Sequence, residues 1–294
     1  MGKRPFIIGI GGATSSCGKT SVAVALLKAL TSGAPLATER DGTFEARESS
    51  AAHPLPADSY PSHVTHHPLL LTLKRWGAIK YTKTFLYASV TDDHRILGEE
   101  GKDTARLLKA GAEDVLWVRS SPSDIAEVLP MATERLSHLD GIIVEGNSAI
   151  EFLSPDIIIF ITGSTQKGAK PSARPVLRKA HILVVPGDTR APSDAALRNT
   201  AAGSLVRQAP VVLRTGPLQE GLDERFAQEL IMAIDGMLQP DRIEQLLRER
   251  SADGRITCQS ARQIAEELSV PYSEVGKTAN ALNIKIRACE LGCF

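Results

Sequence analysis

Residues 6–30 constrain the fold more than any other part of the chain. Phe6-Ile7-Ile8-Gly9-Ile10 is apolar throughout and runs into Gly11-Gly12-Ala13-Thr14-Ser15-Ser16-Cys17-Gly18-Lys19-Thr20, after which Ser21 opens an apolar helical stretch to residue 30. An unbroken apolar run suits a strand covered on both faces, and a helix behind the loop offers free backbone N–H groups and the positive end of its dipole. Strand, glycine-rich loop, Lys-Thr and helix follow one another as in the phosphate-binding pattern G-x-x-x-x-G-K-[ST]. Ala13 stands at the first glycine position, and Gly11 and Gly12 keep the turn flexible. In such a loop, residues Ala13, Thr14, Ser15, Ser16, Cys17, Gly18, Lys19, Thr20 and Ser21 surround phosphates. Lys19 sets its ammonium against the β and γ oxygens, and Thr20 offers its hydroxyl to Mg2+. A glycine-rich turn that merely precedes Lys-Thr would not need the buried strand before it and the apolar helix after it. Cys17 reads as a tolerated loop residue.

Further apolar runs at residues 78–81, 115–118, 141–144, 157–161, 182–185 and 211–213 alternate with segments suited to helices or turns. This order predicts an α/β fold, a P-loop NTPase with a mainly parallel sheet flanked by helices. A chain of 294 residues accommodates one such domain plus an appendage. Composition shifts at Gln239-Pro240, so the expected domains are 1–238, nucleotide-binding, and 239–294, a small helical module. With 34 basic against 34 acidic residues, no net field favours nucleic acid or a membrane surface. Apolar stretches such as 157–161 and 69–71 fall far short of the roughly 20 residues that a bilayer crossing needs. The amino-terminal residues do not read as a signal peptide, so a cytoplasmic location is expected.

In an open parallel sheet, ligands bind at the carboxyl ends of the strands, which directs attention to the residues that follow each apolar run. Glu145 closes the run 141–144 and is placed either to hold Mg2+ or orient an attacking water, or simply as a solvated strand-end acid. Lys80 and Lys83 end the second run, positioned to neutralise phosphate or another anion, or simply as exposed lysines. Asp103 opens a helix in Gly101-Lys102-Asp103-Thr104, as a site residue or as a cap. Residues 31–68 lose periodicity and contain His53, Asp58, His63, His66 and His67, whose spacing orders no ligand set; a solvated loop is the simpler reading.

Taken in series, Gly18-Lys19-Thr20, Ile79-Lys80-Tyr81, Gly101-Lys102-Asp103-Thr104, Ala110-Gly111-Ala112 and Val144-Glu145-Gly146 resemble the molybdopterin-guanine dinucleotide biosynthesis protein B family of P-loop GTPases. The resemblance covers residues 6–161. It implies a GTP-binding accessory protein in molybdenum cofactor biosynthesis. Such a protein hydrolyses GTP slowly, acts beside a molybdenum-cofactor nucleotidyltransferase and forms a homodimer. Lys19 and Glu145 would be its catalytic residues, with Thr20 and Glu145 on Mg2+ and Lys80 and Asp103 shaping the site. Tyr81 stands where the family tends to have His, Asn147-Ser148 replaces other residues, and the segment 31–68 is enlarged. GTP comes from the resemblance alone, because no Asn-Lys-x-Asp element is present and His181-Ile182-Leu183-Val184-Val185-Pro186-Gly187-Asp188 occupies its place. An ATP-dependent ligase or small-molecule kinase of the same class is the alternative.

After Pro240, Ile243, Leu246 and Leu247 mark one helix. Ser260 and Gln263 form a capping box before a second, carrying Ile264, Ala265 and Leu268. A third starts near Ser273, and Ile284-Lys285-Ile286 is strand-like, a helix-turn-helix or winged-helix outline. Residues 241–294 hold eight Lys or Arg and eight Asp or Glu, so docking or dimerisation fits them better than DNA, where phosphate contacts need surplus cations. A nucleotide-gated DNA-binding regulator is the second alternative. Cys258, Cys289 and Cys293 supply three thiolates, read either as ligands to zinc or an iron–sulfur centre or as buried residues.

Overall fold

The computed structural model describes residues 4–32, 69–162, 170–187, 211–218, 221–268 and 270–288. The histidine-rich segment with His53, Asp58, His63, His66 and His67, together with Asp188, Cys289 and Cys293, lies outside them. Eight strands form one sheet: β1 (Phe6–Gly12), β2 (Trp76–Lys83), β3 (Ser89–Thr91), β4 (Val115–Ser120), β5 (Gly141–Glu145), β6 (Ile157–Ile161), β7 (Ile182–Pro186) and β8 (Val211–Thr215). Their order is β3-β4-β2-β5-β1-β6-β7-β8, parallel throughout except that β3 runs antiparallel to β4 at the edge. This is the α/β architecture with a mainly parallel sheet flanked by helices expected from the apolar runs. The edge strand β3 was not legible, since Ser-Val-Thr is too short to show a period.

The helices of this part are α1 (Lys19–Thr31), α2 (His94–Leu97), α3 (Asp103–Lys109), α4 (Ile125–Arg135), α5 (Asn147–Leu153) and α6 (Ala173–Arg178). Ile7, Ile79, Tyr81, Ile142 and Val144 share a core with Val128, Leu129 and Ala132 of α4 and Ala149 of α5. Successive strand side chains point to opposite faces, so Ile8, Lys80, Ile143 and Glu145 face the other side, where α1 packs against α3. Two charged residues of otherwise apolar strands thus meet the helix that follows the glycine-rich loop.

Among the described residues, those up to 32 together with those in 73–233 form one compact unit, which holds the whole sheet, and 69–72 with those from 234 onward form the other. The long helix α7 (Glu224–Arg250) spans the expected boundary at Gln239-Pro240 and continues through Pro240. A proline removes one N–H from the helical ladder without always ending the helix. In the second unit, β9 (Arg255–Thr257), α8 (Cys258–Leu268), α9 (Tyr272–Ala281) and β10 (Lys285–Arg287) follow in order. Ile243, Leu246 and Leu247 of α7 bury against Ile256, Ala261, Ile264, Ala265, Leu268, Val275, Ala279 and Ile284. The cap of α8 is Thr257 and not Ser260: the Ser260 N–H donates to Thr257 Oγ1 at 3.1 Å. A hairpin wing needs antiparallel strands, whereas β9 and β10 pair in parallel on either side of two helices. On α9, Lys277 is already paired with Glu274 at 2.8 Å. No helix among the described residues is long and apolar enough to cross a membrane.

Trp76 is fully buried and lies in register with Gly141, where an added Cβ would come within 2.4 Å of the indole Cζ3. The ring is rigid and its Nε1–H is held by the Leu73 carbonyl at 3.1 Å, so it cannot give way cheaply. Gly141→Ala is therefore expected to lower the unfolding free energy by roughly 1–3 kcal/mol, read from urea denaturation.

Candidate functional site

The site starts at the carboxyl end of β1. Gly18 precedes α1 with φ 89°, a left-handed conformation, and a Cβ on it would lie 2.4 Å from Leu218 Cδ1, so backbone and packing both require glycine. Cys17 is buried, with its sulfur over Gly12, where an added Cβ would approach it to 2.2 Å. Lys19 folds its ammonium back onto the loop, donating to the carbonyls of Thr14 at 2.9 Å and Ser15 at 3.0 Å, with Cys17 Sγ at 3.8 Å. These bonds hold the loop curled around the front of α1, where the free N–H groups of the first helical turn emerge. Ser16 is exposed, and the Ser15 hydroxyl is bonded by the Lys170 ammonium.

Three sequence-distant elements meet Thr20, the second residue of α1. The Thr20 hydroxyl donates to Glu145 Oε2 at 2.8 Å, and both residues are buried. Lys80, opposite Glu145 in the β2–β5 register, donates to Glu145 Oε1 at 2.6 Å, to Asp103 Oδ2 at 2.5 Å and to Thr20 Oγ1 at 3.4 Å. Burial opposes charge on Lys80, but the Glu145 charge and the bonds to Asp103 and Glu145 raise its pKa above the ordinary lysine value. Burial likewise opposes charge on Asp103, yet its bond to Lys80 and the Lys80 charge hold its pKa below the usual carboxylate range. Asp103 is the first residue of α3, and its carboxylate is turned to Lys80, while Lys102 takes the cap position without a side-chain capping bond.

Around this centre stand residues that sequence reading did not single out as site residues. Asn147 grips the loop from behind: its Oδ1 accepts the Gly12 N–H and its Nδ2 donates to the Gly12 carbonyl, both at 3.0 Å. It is the first residue of α5, delivered by Gly146 at φ 137°. The signal was present as a departure from the resembled family at Asn147-Ser148. Arg106 joins α3 to α1, lying 3.7 Å from Asp103 Oδ1 and donating to Ser21 Oγ at 3.1 Å. Lys83 is not drawn in; its ammonium sits over the Phe85 ring, 5.1 Å from the centroid. His181 lies at the amino end of β7, away from the loop, and its Nδ1 accepts the Ile158 N–H at 2.9 Å, while burial pushes its pKa down.

Thr20 Oγ1 and the Glu145 carboxylate are hard oxygen donors that already gather around one cation, the Lys80 ammonium, and this chemistry fits Mg2+, which takes few protein oxygens and keeps several waters. Cys258 opens α8, partly exposed and outside any disulfide. Among the described residues, no group of three or more His, Cys, Asp or Glu comes together to hold a metal ion.

No family model matches the chain, and no curated protein matches it. Among solved structures, the chain is similar to LpxK from Aquifex aeolicus in complex with ATP, with 12% identity and a TM-score of 0.33, over 73% of this chain and 55% of that one. It is also similar to a ParA family ATPase from Chlorobium tepidum TLS, with 12% identity and a TM-score of 0.32, over 80% of this chain and 91% of that one.

Two outcomes follow from this geometry. In Asn147→Asp the donor to the Gly12 carbonyl is lost and a carboxylate faces it instead, so the unfolding free energy is expected to fall by about 1–3 kcal/mol in denaturant titration. The Lys80 contribution to stability is complete below the ordinary lysine value and is lost as pH rises through the raised folded value. The Asp103 contribution is present above the ordinary carboxyl value and is lost as pH falls through the lowered folded value. Thermal midpoints measured against pH are therefore expected to plateau between these limits, with a smaller alkaline decline in Lys80→Met than in wild type.

Proposed function

We propose that this chain binds a nucleoside triphosphate with Mg2+ on residues 13–21 and hydrolyses it slowly, as a GTP-dependent accessory protein of molybdenum cofactor biosynthesis. The observation that carries the reading is the buried hydrogen bond from Thr20 to Glu145 at 2.8 Å, directly behind the glycine-rich loop. In phosphate-binding loops the Lys-Thr hydroxyl and an acid at the end of a neighbouring strand share the metal, and these two residues stand in that relation. Support for the finer assignment comes from convergence. Ile79-Lys80-Tyr81, Gly101-Lys102-Asp103-Thr104 and Val144-Glu145-Gly146, the short elements of the family resemblance, carry Lys80, Asp103 and Glu145, and the Lys80 ammonium bonds both acids and the Thr20 hydroxyl.

In this reading the loop N–H groups and Lys19 bind the phosphates, with Lys19 leaving the Thr14 and Ser15 carbonyls for the β and γ oxygens. Thr20 and Glu145 hold Mg2+, which when bound offsets the charge of the phosphate oxygens. Glu145 also orients the attacking water, and the rate gain is electrostatic positioning. The partner is a molybdenum-cofactor nucleotidyltransferase, and the working form is a homodimer.

Calorimetric titration with GTP and, separately, ATP in the presence of Mg2+ tests the reading. Selective GTP binding with slow turnover is the expected result. Preference for ATP with turnover stimulated by an acceptor would replace it with the ligase or kinase reading. Lys19→Ala is expected to weaken triphosphate binding by about tenfold or more, since a hydrogen bond to a charged group is worth roughly 1.5–3 kcal/mol. Unchanged affinity in that variant contradicts phosphate binding at the loop.

A further inference from the structure

We propose that the Lys80 ammonium is the resident cation of the metal position, so that a divalent ion enters only together with a triphosphate. The inference rests on the placement of Mg2+ at Thr20 and Glu145 proposed above. Three oxygens converge on the Lys80 ammonium: Asp103 Oδ2 at 2.5 Å, Glu145 Oε1 at 2.6 Å and Thr20 Oγ1 at 3.4 Å. A lysine has three N–H donors and no acceptor, so this set satisfies it completely. The Thr20 proton is spent on Glu145 Oε2, which leaves the hydroxyl's lone pairs for the ammonium. The oxygens that a divalent ion would use are therefore already gathered and already occupied.

Charge makes the occupancy exclusive. Two carboxylates and one ammonium sum to −1. A divalent ion added alone takes the same cluster to +1 and sets a second cation beside the ammonium inside a half-buried site. A triphosphate brings the missing negative charge and draws both cations toward itself. The two lysines of the site differ accordingly: Lys19 is tied to loop carbonyls, whereas Lys80 is tied to the acids. Lys80 stands on β2 and carries its charge on a flexible four-carbon stem, so the ammonium can leave Glu145 without a movement of the sheet. Asp103 keeps Arg106 as a neighbour at 3.7 Å when Lys80 withdraws, and Arg106 also bonds Ser21 of α1.

Electron paramagnetic resonance with Mn2+ reads this directly, because the ion can be titrated with no nucleotide present. Wild-type protein is expected to leave Mn2+ free until a triphosphate is added. Lys80→Met is expected to take up one Mn2+ without nucleotide, at least about tenfold more tightly than wild type, once the competing charge is gone. Adding Glu145→Gln to that variant should abolish the uptake, and Lys80→Arg, which keeps the cation, should behave as wild type. Uptake of one Mn2+ by nucleotide-free wild type as tight as that of Lys80→Met overturns the proposal, as does a folded Lys80→Met that takes up none. Circular dichroism establishes folding; if Lys80→Met does not fold, the wild-type titration with and without triphosphate decides alone. Calorimetry of wild type with GTP and ATP keeps the two claims apart, because absence of triphosphate binding defeats the proposed function while the nucleotide-free Mn2+ comparison still reports on Lys80.

Discussion

A carboxylate with only 3% of its surface exposed, Glu145, is the residue around which the first unit is organised. A buried charge is tolerated only when its lone pairs are met, and removing one partner of such a group costs roughly 3–5 kcal/mol. Glu145 is met from two directions, by the Thr20 hydroxyl on α1 and by the Lys80 ammonium on β2. Lys80 in turn needs a second acid, which Asp103 supplies from the first position of α3. One charge at a strand end thus fixes the relation of two strands and two helices, at the point where the glycine-rich loop turns into α1.

Backbone geometry makes that meeting possible. In the parallel register Glu145 lies opposite Lys80 on one side and Ile10 on the other. The two-residue period of a strand sends Val144 and Ile79 to the α4 and α5 core while sending Glu145 and Lys80 to α1. The loop is held by contacts of another kind: Asn147 on both backbone groups of Gly12, Lys19 on two loop carbonyls, and Leu218 against Gly18.

Much of this was legible in the sequence. β6 was read at its full length because both of its faces are buried and no polar residue blurs it. Glu145 was visible because an acid ending such a run stands out, and Lys80 and Asp103 because they lay in elements of a resembled family. That Glu145 and Asp103 would share the Lys80 ammonium was not visible, because strand order and register are long-range properties. Asn147 escaped as a site residue since its role is a pair of backbone bonds to a residue 135 positions away. The helix through Pro240 escaped because a proline followed by a new apolar period looks like a stop, and Thr257 was overlooked as a cap because Ser260 and Gln263 imitate the capping pattern one turn later.

The central claim is that the loop at residues 13–20 cradles phosphates with Thr20 and Glu145 beside the metal. A crystal structure grown with Mg2+ and a non-hydrolysable triphosphate analogue tests it most directly. The account predicts the phosphates within hydrogen-bonding reach of the loop N–H groups and Lys19, with the metal on Thr20 Oγ1. Phosphates bound elsewhere on the molecule, or a loop left empty at saturating analogue, would contradict it.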